Sequence, residues 1–405
     1  MRTPSEIDAL FHTTYARNQI ILERGKGCRL WDTSGKEYLD FFAGIATASL
    51  GHDHPAICET LAKQSAQLMH VSNLYYSLPQ AELAAWFTKH SCADRAFFCN
   101  SGAEANEAAI KLTRKYSHAK HGSAIPIILT AQQSFHGRTL ATLTATGQTK
   151  YQKGFEPLVA GFEHVPFNDI AALEETVQKL TQAGKSERVF AAILLEPLQG
   201  EGGVTPGQRD YFLAARQLCD KHGALLIFDE IQCGMGRSGK LWGYEKLGVE
   251  PDIFTSAKGL AGGFPIGAMV AKESVSVFQH GEHGSTFGGN PLACAVACTV
   301  AGIIGASSFL EQVEKKGTEL QNGLTKLLTK FPNHLQGTRG WGLIQGLVLK
   351  EDSELTTSIL SARALEHGLL LIGAGPKVVR LVPPLIISSA EIQEGLEILE
   401  RILAQ

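Results

Sequence analysis

The chain has 405 residues, of which 44% are hydrophobic and 19% charged, so it is long enough for a large core divided between two or three domains. Its formal net charge of −3 gives no electrostatic basis for binding nucleic acid or an anionic membrane. The eight cysteines are scattered without a Cys-x-x-Cys pair, which argues against a disulfide framework or a zinc site and favours a reducing, cytoplasmic location.

The N-terminal segment 1–55 is predicted to form short strands. It contains two apolar runs that are typical of strands, at 19–22 and 28–31. The polar stretch 32–36 predicts a hairpin turn, and an amphipathic helix is predicted over 56–70. His52 and His54 have no third ligand at a suitable spacing, so a turn that begins this helix is a better interpretation than a metal site.

Helices and strands alternate from about residue 80 onward. The predicted strands lie at 96–99, 124–130, 189–195, 224–228, 253–256 and 265–271. This alternation predicts an α/β domain with a mainly parallel sheet that helices cover on both faces. Ligands of such sheets bind at the carboxyl ends of the strands, and the polar residues at these ends include Ser101, Glu196, Asp229 and Lys258.

The pattern changes after residue 306. The predicted elements there are a long helix over 309–329, a strand over 340–349, two apolar runs at 369–373 and 378–382, and a final helix over 389–404. We interpret this region, 307–405, as a smaller α+β domain that the N-terminal segment 1–55 completes. Residues 56–306 then form the large domain.

The apolar run 225–228 ends in Asp229, and a second extended run ends in Lys258, 29 residues later. This pair suits the cofactor pyridoxal phosphate. The lysine forms a Schiff base with the cofactor, and the carboxylate keeps a proton on the pyridine nitrogen so that the ring accepts electrons. The alternative is that both residues are ordinary charges at the ends of strands.

Ser101, Gly102 and Ala103 begin a predicted helix, where free amides and the helix dipole attract a phosphate. Plain capping of the helix by Ser101 explains the same residues.

Further along the chain, Phe135 is suited to cover a flat ring, and Arg138 is suited to bind a substrate carboxylate through two hydrogen bonds. Arg380 is a second candidate for a carboxylate site, with Glu201 as its partner when no carboxylate is bound. The alternative for these charged residues is a set of weak surface ion pairs.

The segment Gly234–Gly239 matches the pattern G-x-G-x-x-G of dinucleotide-binding proteins. That motif requires a helix that begins on the glycines and an acidic residue about 20 positions later at the end of a strand. Five residues, 229–233, separate the predicted strand from these glycines, and the following stretch 241–248 is short. We therefore do not predict a nicotinamide site.

Seven stretches together resemble the class III pyridoxal-phosphate aminotransferases over nearly the whole chain. They are SNLYY (72–76), NSGAEAN (100–106), SFHGRT (134–139), EPLQGEGG (196–203), DEIQCGMGR (229–237), SAKG (256–259) and GSTFGGNP (284–291). The resemblance implies fold type I, with a large domain around a mainly parallel seven-stranded sheet and a smaller α+β domain.

The resemblance also implies a role for individual residues. The Gly102 and Ala103 amides would bind phosphate next to Ser101, and Thr286 of the partner subunit would complete that site in a homodimer. Phe135 would cover the ring and Gln232 would lie by its 3-hydroxyl group. Arg138, with Ser285 nearby, would bind the carboxylate of an acylated diamine. Arg380 would bind that of glutamate, with Glu201 as its exchangeable partner.

The implied reaction is a ping-pong transfer of the terminal amine of N2-acetylornithine to 2-oxoglutarate, a step of arginine biosynthesis. Relatives in the class use ornithine, succinylornithine, N-succinyl-diaminopimelate or 4-aminobutyrate instead. The residues Arg138, Glu201 and Arg380 suit several of these donors, so the sequence leaves these alternatives open. A non-catalytic regulator with the same fold is expected to lack Lys258 or Asp229, and both are present.

Overall fold

The computed structural model describes residues 3–182 and 187–405; residues 1 and 2 of the predicted N-terminal segment lie outside these ranges. The strands, numbered along the chain, are β1 (Leu22–Lys26), β2 (Arg29–Asp32), β3 (Glu37–Asp40), β4 (Arg95–Cys99), β5 (Ile125–Ala131), β6 (Phe162–Val165), β7 (Arg188–Leu195), β8 (Leu198–Gln199), β9 (Thr205–Pro206), β10 (Leu225–Asp229), β11 (Ile253–Ser256), β12 (Gly267–Ala271), β13 (Leu335–Trp341), β14 (Ile344–Leu349), β15 (Leu369–Leu370), β16 (Ile372–Gly373) and β17 (Val378–Leu381).

The α-helices are α1 (Pro4–Asp8), α2 (Ala43–Ala46), α3 (Pro55–Gln67), α4 (Leu78–Lys89), α5 (Gly102–His121), α6 (Leu140–Ala145), α7 (Thr149–Gln152), α8 (Ile170–Gln182), α9 (Arg209–His222), α10 (Tyr244–Leu247), α11 (Pro291–Ile304), α12 (Ser307–Lys330), α13 (Thr357–Glu366) and α14 (Ser389–Leu403). Short 3₁₀ helices over Lys258–Ala261 and Glu273–Val275 follow β11 and β12.

Seven strands form the central sheet in the order β4-β12-β11-β10-β7-β5-β6. The strands from β11 to β6 are parallel to one another, whereas β12 is antiparallel to both of its neighbours, β11 and β4. The predicted α/β fold with a mainly parallel seven-stranded sheet is therefore confirmed.

Helices cover both faces of this sheet because its strands are apolar on both sides. Successive side chains of β10 point to opposite faces. Ile227 belongs to the apolar cluster that contains Ala109 of α5, while Phe228 packs edge-on against Phe212 of α9, with ring centroids 5.3 Å apart. In β10 the polar side chain, that of Asp229, is thus confined to the end of the strand.

The N-terminal and C-terminal parts of the chain share a sheet. Its order is β1-β2-β3-β15, and Leu39 of β3 pairs in parallel with Leu369 of β15. A second four-stranded sheet, β13-β14-β17-β16, is built from the C-terminal region. The domain boundaries after residues 55 and 306 stay predictions.

Three predicted strands differ from the observed ones. The single strand predicted over 340–349 is wrong, because the chain turns between Trp341 at the end of β13 and Ile344 at the start of β14, and Gly342 lies in this turn with φ of +49°. The apolar run 369–373 is divided between two sheets, as β15 and β16. The first strand begins at Leu22, so most of the run predicted over 19–22 precedes it.

No single helix in residues 3–182 and 187–405 is long and apolar enough to cross a membrane. Helices α11 and α12 reach the required length and hydropathy only as a pair, and the chain bends by 70° between them. The same ranges bring together no group of three or more His, Cys, Asp or Glu side chains that could hold a metal ion.

Candidate active site

Asp229 ends strand β10 and lines a cavity of about 430 Å³. Its Oδ2 atom accepts a 2.8 Å hydrogen bond from Asn106 Nδ2 and lies 2.9 Å from His136 Nδ1. Its Oδ1 atom accepts a hydrogen bond of 3.1 Å from the amide of Ile231. The side chain is 4% exposed, so these three contacts fix the direction in which the carboxylate faces.

Lys258 lies at the end of the neighbouring strand and lines the same cavity. Parallel pairing places Asp229 opposite Thr255, which brings the ends of β10 and β11 together. The backbone of Lys258 has φ of +44°, a strained conformation for a residue with a side chain. Burial lowers the pKa of its amine, although the carboxylates of Glu201 and Asp229 oppose this shift. A lowered pKa increases the share of neutral amine, which is the nucleophilic form.

Ser101 caps helix α5, because its hydroxyl accepts a hydrogen bond of 3.2 Å from the amide of Glu104. The cap leaves the first amides of the helix free: among the described residues, those of Gly102 and Ala103 have no acceptor. All three residues line the cavity. Capping and an anion site at this helix terminus are therefore compatible.

Glu196 follows strand β7 and connects two loops at the cavity. It accepts hydrogen bonds from the amide of Phe135 at 3.0 Å and from that of Gly200 at 3.3 Å. Burial raises the pKa of this carboxyl, and the charge of Asp229 raises it further. The contacts hold the backbone of Phe135, whose ring lines the cavity.

Arg380 of strand β17 reaches this region through a buried ion pair with Glu201. Its Nη1 donates to Glu201 Oε1 at 2.5 Å and to Gln232 Oε1 at 2.8 Å. Burial alone would raise the pKa of Glu201, but the charge of Arg380 and its hydrogen bond outweigh burial and leave this pKa below its ordinary value. Gln232 lines the cavity and thus connects the ion pair to it.

Of the other predicted substrate residues, Arg138 lines the cavity and its guanidinium lies 4.4 Å from the ring centroid of Tyr151. Ser285 lies behind the cavity lining, where its hydroxyl is 3.1 Å from Nδ2 of Asn100. Thr286 is exposed and does not line the cavity within this chain. The fold thus brings together the predicted residues except Thr286.

Residues 12–403 match the family described as Aminotransferase class-III. The chain belongs to this family. Class III aminotransferases are transaminases that depend on pyridoxal phosphate, so the predicted enzyme class and cofactor are confirmed.

Curated relatives of this class III aminotransferase include the acetylornithine aminotransferases of Nostoc sp. (strain PCC 7120) and Thermosynechococcus vestitus. Each is 60% identical over 98% of this chain, covering 92% and 96% of the relative. The N-acetylornithine aminotransferase structure from Stenotrophomonas maltophilia has a TM-score of 0.83 at 39% identity, covering 96% of this chain and 97% of that one. The ornithine aminotransferase structure from Toxoplasma gondii has a TM-score of 0.92 at 30% identity, and the match covers 100% of this chain and 96% of that one.

The residues around the cavity of this aminotransferase fit pyridoxal phosphate. The free amides of Gly102 and Ala103 suit a phosphate dianion at the N-terminus of a 20-residue helix. The carboxylate of Asp229 suits a protonated ring nitrogen, and the neutral amine of Lys258 suits a bond to the cofactor aldehyde.

Sequence reasoning assigned no function to two residues that contact Asp229. Asn106 donates to Asp229 and accepts a 2.8 Å hydrogen bond from Thr255, while the imidazole of His136 is buried. Both lie inside the quoted stretches 100–106 and 134–139. The available signal was their polarity, that of Asn106 among the apolar residues on the buried face of α5 and that of His136 in the loop after β5, but only the fold shows that both contact one carboxylate.

Proposed function

We propose that this chain transfers the terminal amine of N2-acetylornithine to 2-oxoglutarate, giving N-acetylglutamate 5-semialdehyde and glutamate, a step of arginine biosynthesis. The relatives at 60% identity are named for acetylornithine, and they support this substrate. The geometric observation that carries the proposal is one cavity bordered by Lys258, Asp229 and the free amides of α5.

The cofactor would be held from three sides. The Ser101–Ala103 helix terminus would bind its phosphate, Phe135 would cover its ring, and Gln232 would lie by its 3-hydroxyl group. Asp229 would hold a proton on its ring nitrogen. Lys258 would bind it covalently between turnovers.

When bound, pyridoxal phosphate supplies an electron sink for the charge left on a substrate carbon after loss of a proton. Lys258, displaced by the substrate amine, would act as the general base: its Nζ would take up the proton that the substrate carbon loses and deliver it in the 1,3-proton transfer. Asp229 would place its charge next to the ring nitrogen, because Asn106 and His136 fix the direction of the carboxylate. The same groups serve the second half-reaction in reverse, which makes the kinetics ping-pong.

Two carboxylate sites let one cavity accept both substrates. Arg138 would bind the α-carboxylate of acetylornithine, with Ser285 nearby. Arg380 would bind the α-carboxylate of glutamate or 2-oxoglutarate, after Glu201 moves away from it. With acetylornithine bound, Glu201 keeps the buried guanidinium of Arg380 paired, as in the 2.5 Å contact described above.

The active unit would be a cytoplasmic homodimer. Four large apolar side chains, Leu74, Tyr75, Tyr76 and Phe287, are 62–103% exposed, which is typical of a protein interface. Asn73 holds this region to the loop of Thr286 through hydrogen bonds to the carbonyls of Ser285 and Gly288. A partner packed on this surface would bring its Thr286 to the phosphate. The unpaired state of all eight cysteines suits a reducing compartment.

Single half-reactions test the amino donor. The purified enzyme with pyridoxal phosphate is mixed separately with N2-acetylornithine, ornithine, N2-succinylornithine, 4-aminobutyrate and N-succinyl-diaminopimelate, and loss of the absorbance of the lysine-bound cofactor is followed. We expect the highest kcat/KM with acetylornithine. Faster conversion with ornithine would replace the proposed substrate and leave the cofactor site unchanged. Ornithine is included because the fold is also similar to that of an ornithine aminotransferase.

Gly102→Ala is expected to lower the affinity for pyridoxal phosphate by about 5- to 100-fold. The added Cβ would lie 2.7 Å from Cδ1 of Ile231, so either this cavity residue or the helix terminus must shift, at a cost of about 1–3 kcal/mol. Titration of the apoenzyme with the cofactor measures the effect. Gly302→Ala is the matched control, since its Cβ meets no atom within 4 Å. Equal cofactor affinity in both variants would contradict the phosphate site.

Glu201→Gln is expected to raise the ratio of kcat/KM for glutamate to that for acetylornithine at least about tenfold, because Arg380 then lacks its anionic partner when acetylornithine is bound. The half-reactions with the two amines measure this ratio. Glu314→Gln, which removes the surface ion pair with Lys246, is the control. A ratio that stays at the parental value in Glu201→Gln would show that the pair does not discriminate between the substrates.

A further inference from the structure

The glycine-rich segment Gly234–Gly239 has no function in the chemistry above. We propose that Arg237 in this segment is a positioning residue: it holds the strand of Arg380 in place and thereby sets the affinity for the α-carboxylate of glutamate and 2-oxoglutarate. The inference rests on the proposed carboxylate-binding function of Arg380.

The side chain of Arg237 crosses from the loop after β10 to the C-terminal region. It is 2% exposed, and its Nη1 donates to two backbone carbonyls, that of Leu343 at 3.0 Å and that of Pro383 at 2.5 Å. The contact is reciprocal, because the amide of Leu343 donates to the carbonyl of Arg237 at 3.0 Å. One residue therefore makes three hydrogen bonds to this region.

The two carbonyls lie at the ends of the strands that carry and support Arg380. Leu343 immediately precedes β14, and Pro383 follows the last residue of β17 by two positions. These strands are antiparallel neighbours, with Gly346 opposite Arg380. A shift of either strand end would therefore move the guanidinium of Arg380 relative to the cavity.

The same loop also contacts the side chain of Arg380 directly. Gln232, five residues before Arg237, accepts from Arg380 Nη1 at 2.8 Å and lines the cavity. The loop thus fixes the tip of Arg380 through Gln232 and the backbone of its strand through Arg237.

The glycines allow this close approach of backbones. Gly236 has φ of +80°, and a Cβ on it would lie 2.8 Å from Ile304. A Cβ on Gly342 would lie 2.7 Å from the carbonyl oxygen of Arg237. Within the G-x-G-x-x-G pattern itself, Gly236 packs against Ile304 of α11 and Gly239 against Glu314 of α12, so close packing against these helices explains the glycines better than a bound phosphate.

Stability gives little reason for a guanidinium at this position. Among the described residues, no carboxylate lies within ion-pair distance of Arg237, and its Nη2 has no acceptor. Burial lowers the pKa of Arg237 to about 9, against the opposing effect of Asp40. A buried charge without an ion pair is unfavourable compared with an apolar side chain of similar size. The hydrogen bonds that Arg237 makes to the two strand ends therefore explain an arginine at this position better than stability does.

Half-reactions of the holoenzyme with glutamate and with acetylornithine test the inference. Arg237→Met keeps the length of the side chain and removes its donors. We expect it to raise the KM for glutamate about 10- to 100-fold, because misplacement of a binding group by about 1 Å has effects of this size, and to change the KM for acetylornithine less than about threefold. Arg363→Met is the matched control, since Arg363 also donates to a carbonyl in this region, that of Ile402 at 3.3 Å. Equal increases for both amines, or the same change in Arg363→Met, would overturn the inference.

A double variant separates positioning from a general structural effect. If Arg237 acts through Arg380, Arg237→Met should not raise the KM for glutamate any further when Arg380→Ala is already present. Additive losses would overturn the inference. Should Arg237→Met fail to fold, Arg237→Lys, which keeps the charge, is measured in the same way and with the same criteria. The wild-type reaction with acetylornithine tests the proposed function separately. The effect of Arg237→Met on the KM for glutamate can be measured whichever second amine serves as the comparison.

Discussion

Lys258→Ala is expected to abolish turnover, with a fall in kcat of at least about 10⁴-fold. General base catalysis alone contributes about 10²–10⁴-fold, and this variant also loses the covalent bond to the cofactor. Burial lowers the pKa of Lys258, which increases the share of the neutral amine that both functions need. The measurements are the steady-state rate and the absorbance of the lysine-bound cofactor, which should be absent in the variant.

Lys272→Ala is a suitable control, because this lysine lies just after β12, 3.8 Å from Glu250 at the surface, and does not line the cavity. Its rate should equal that of the parent. Turnover by Lys258→Ala within tenfold of the parental rate would refute the assignment of Lys258 as the catalytic base.

Asp229→Asn is expected to lower kcat about 10²- to 10³-fold, the usual effect of removing a preorganised electrostatic contact in an active site. The amide is nearly isosteric but carries no charge, so it cannot stabilise a protonated ring nitrogen. Its NH₂ group would also face one of the donors that now surround the carboxylate, Asn106 and His136 on one side or the amide of Ile231 on the other. Single-turnover rates with acetylornithine measure the chemical step directly.

The control for Asp229→Asn is Asp252→Asn. Asp252 accepts from Arg216 and from the amide of Leu226, so it is also a hydrogen-bonded carboxylate beside the sheet, but it does not line the cavity. We expect a loss of stability there without a change in kcat. A parental single-turnover rate in Asp229→Asn would refute the proposed contact with the ring nitrogen.

The central sheet and most of the site could be predicted because both depend on local patterns. Short apolar runs that end in polar residues mark parallel strands and their carboxyl ends, and strand β11 was predicted at its observed bounds. Asp229 and Lys258 end adjacent strands, so their proximity follows from the order of the sheet. Glu201 and Arg380, which lie 179 positions apart in the chain, were paired from their charges, and the resemblance to the family added Gln232, Ser285 and Thr286.

Other features depend on contacts between distant parts of the chain, which local patterns do not predict. The run 340–349 predicted one strand, whereas the chain turns at Gly342, which packs against the backbone of Arg237 in a distant part of the chain. The convergence of Asn106 and His136 on Asp229 requires the order of three separate elements. The position of Thr286 relative to the phosphate site would depend on a partner subunit, so its role stays a prediction.

The pairing of β3 with β15 has a consequence for the synthesis of the protein. Leu39 and Leu369 are about 330 residues apart, yet they are direct neighbours in one sheet. Non-local pairings of this kind slow folding, because a long loop must close before any contact forms. During translation, which adds about 5–20 residues per second, the edge of β3 therefore stays open until nearly the entire chain has left the ribosome. An open strand edge invites aggregation, so we expect the nascent chain to be a client of chaperones that shield this edge until translation ends.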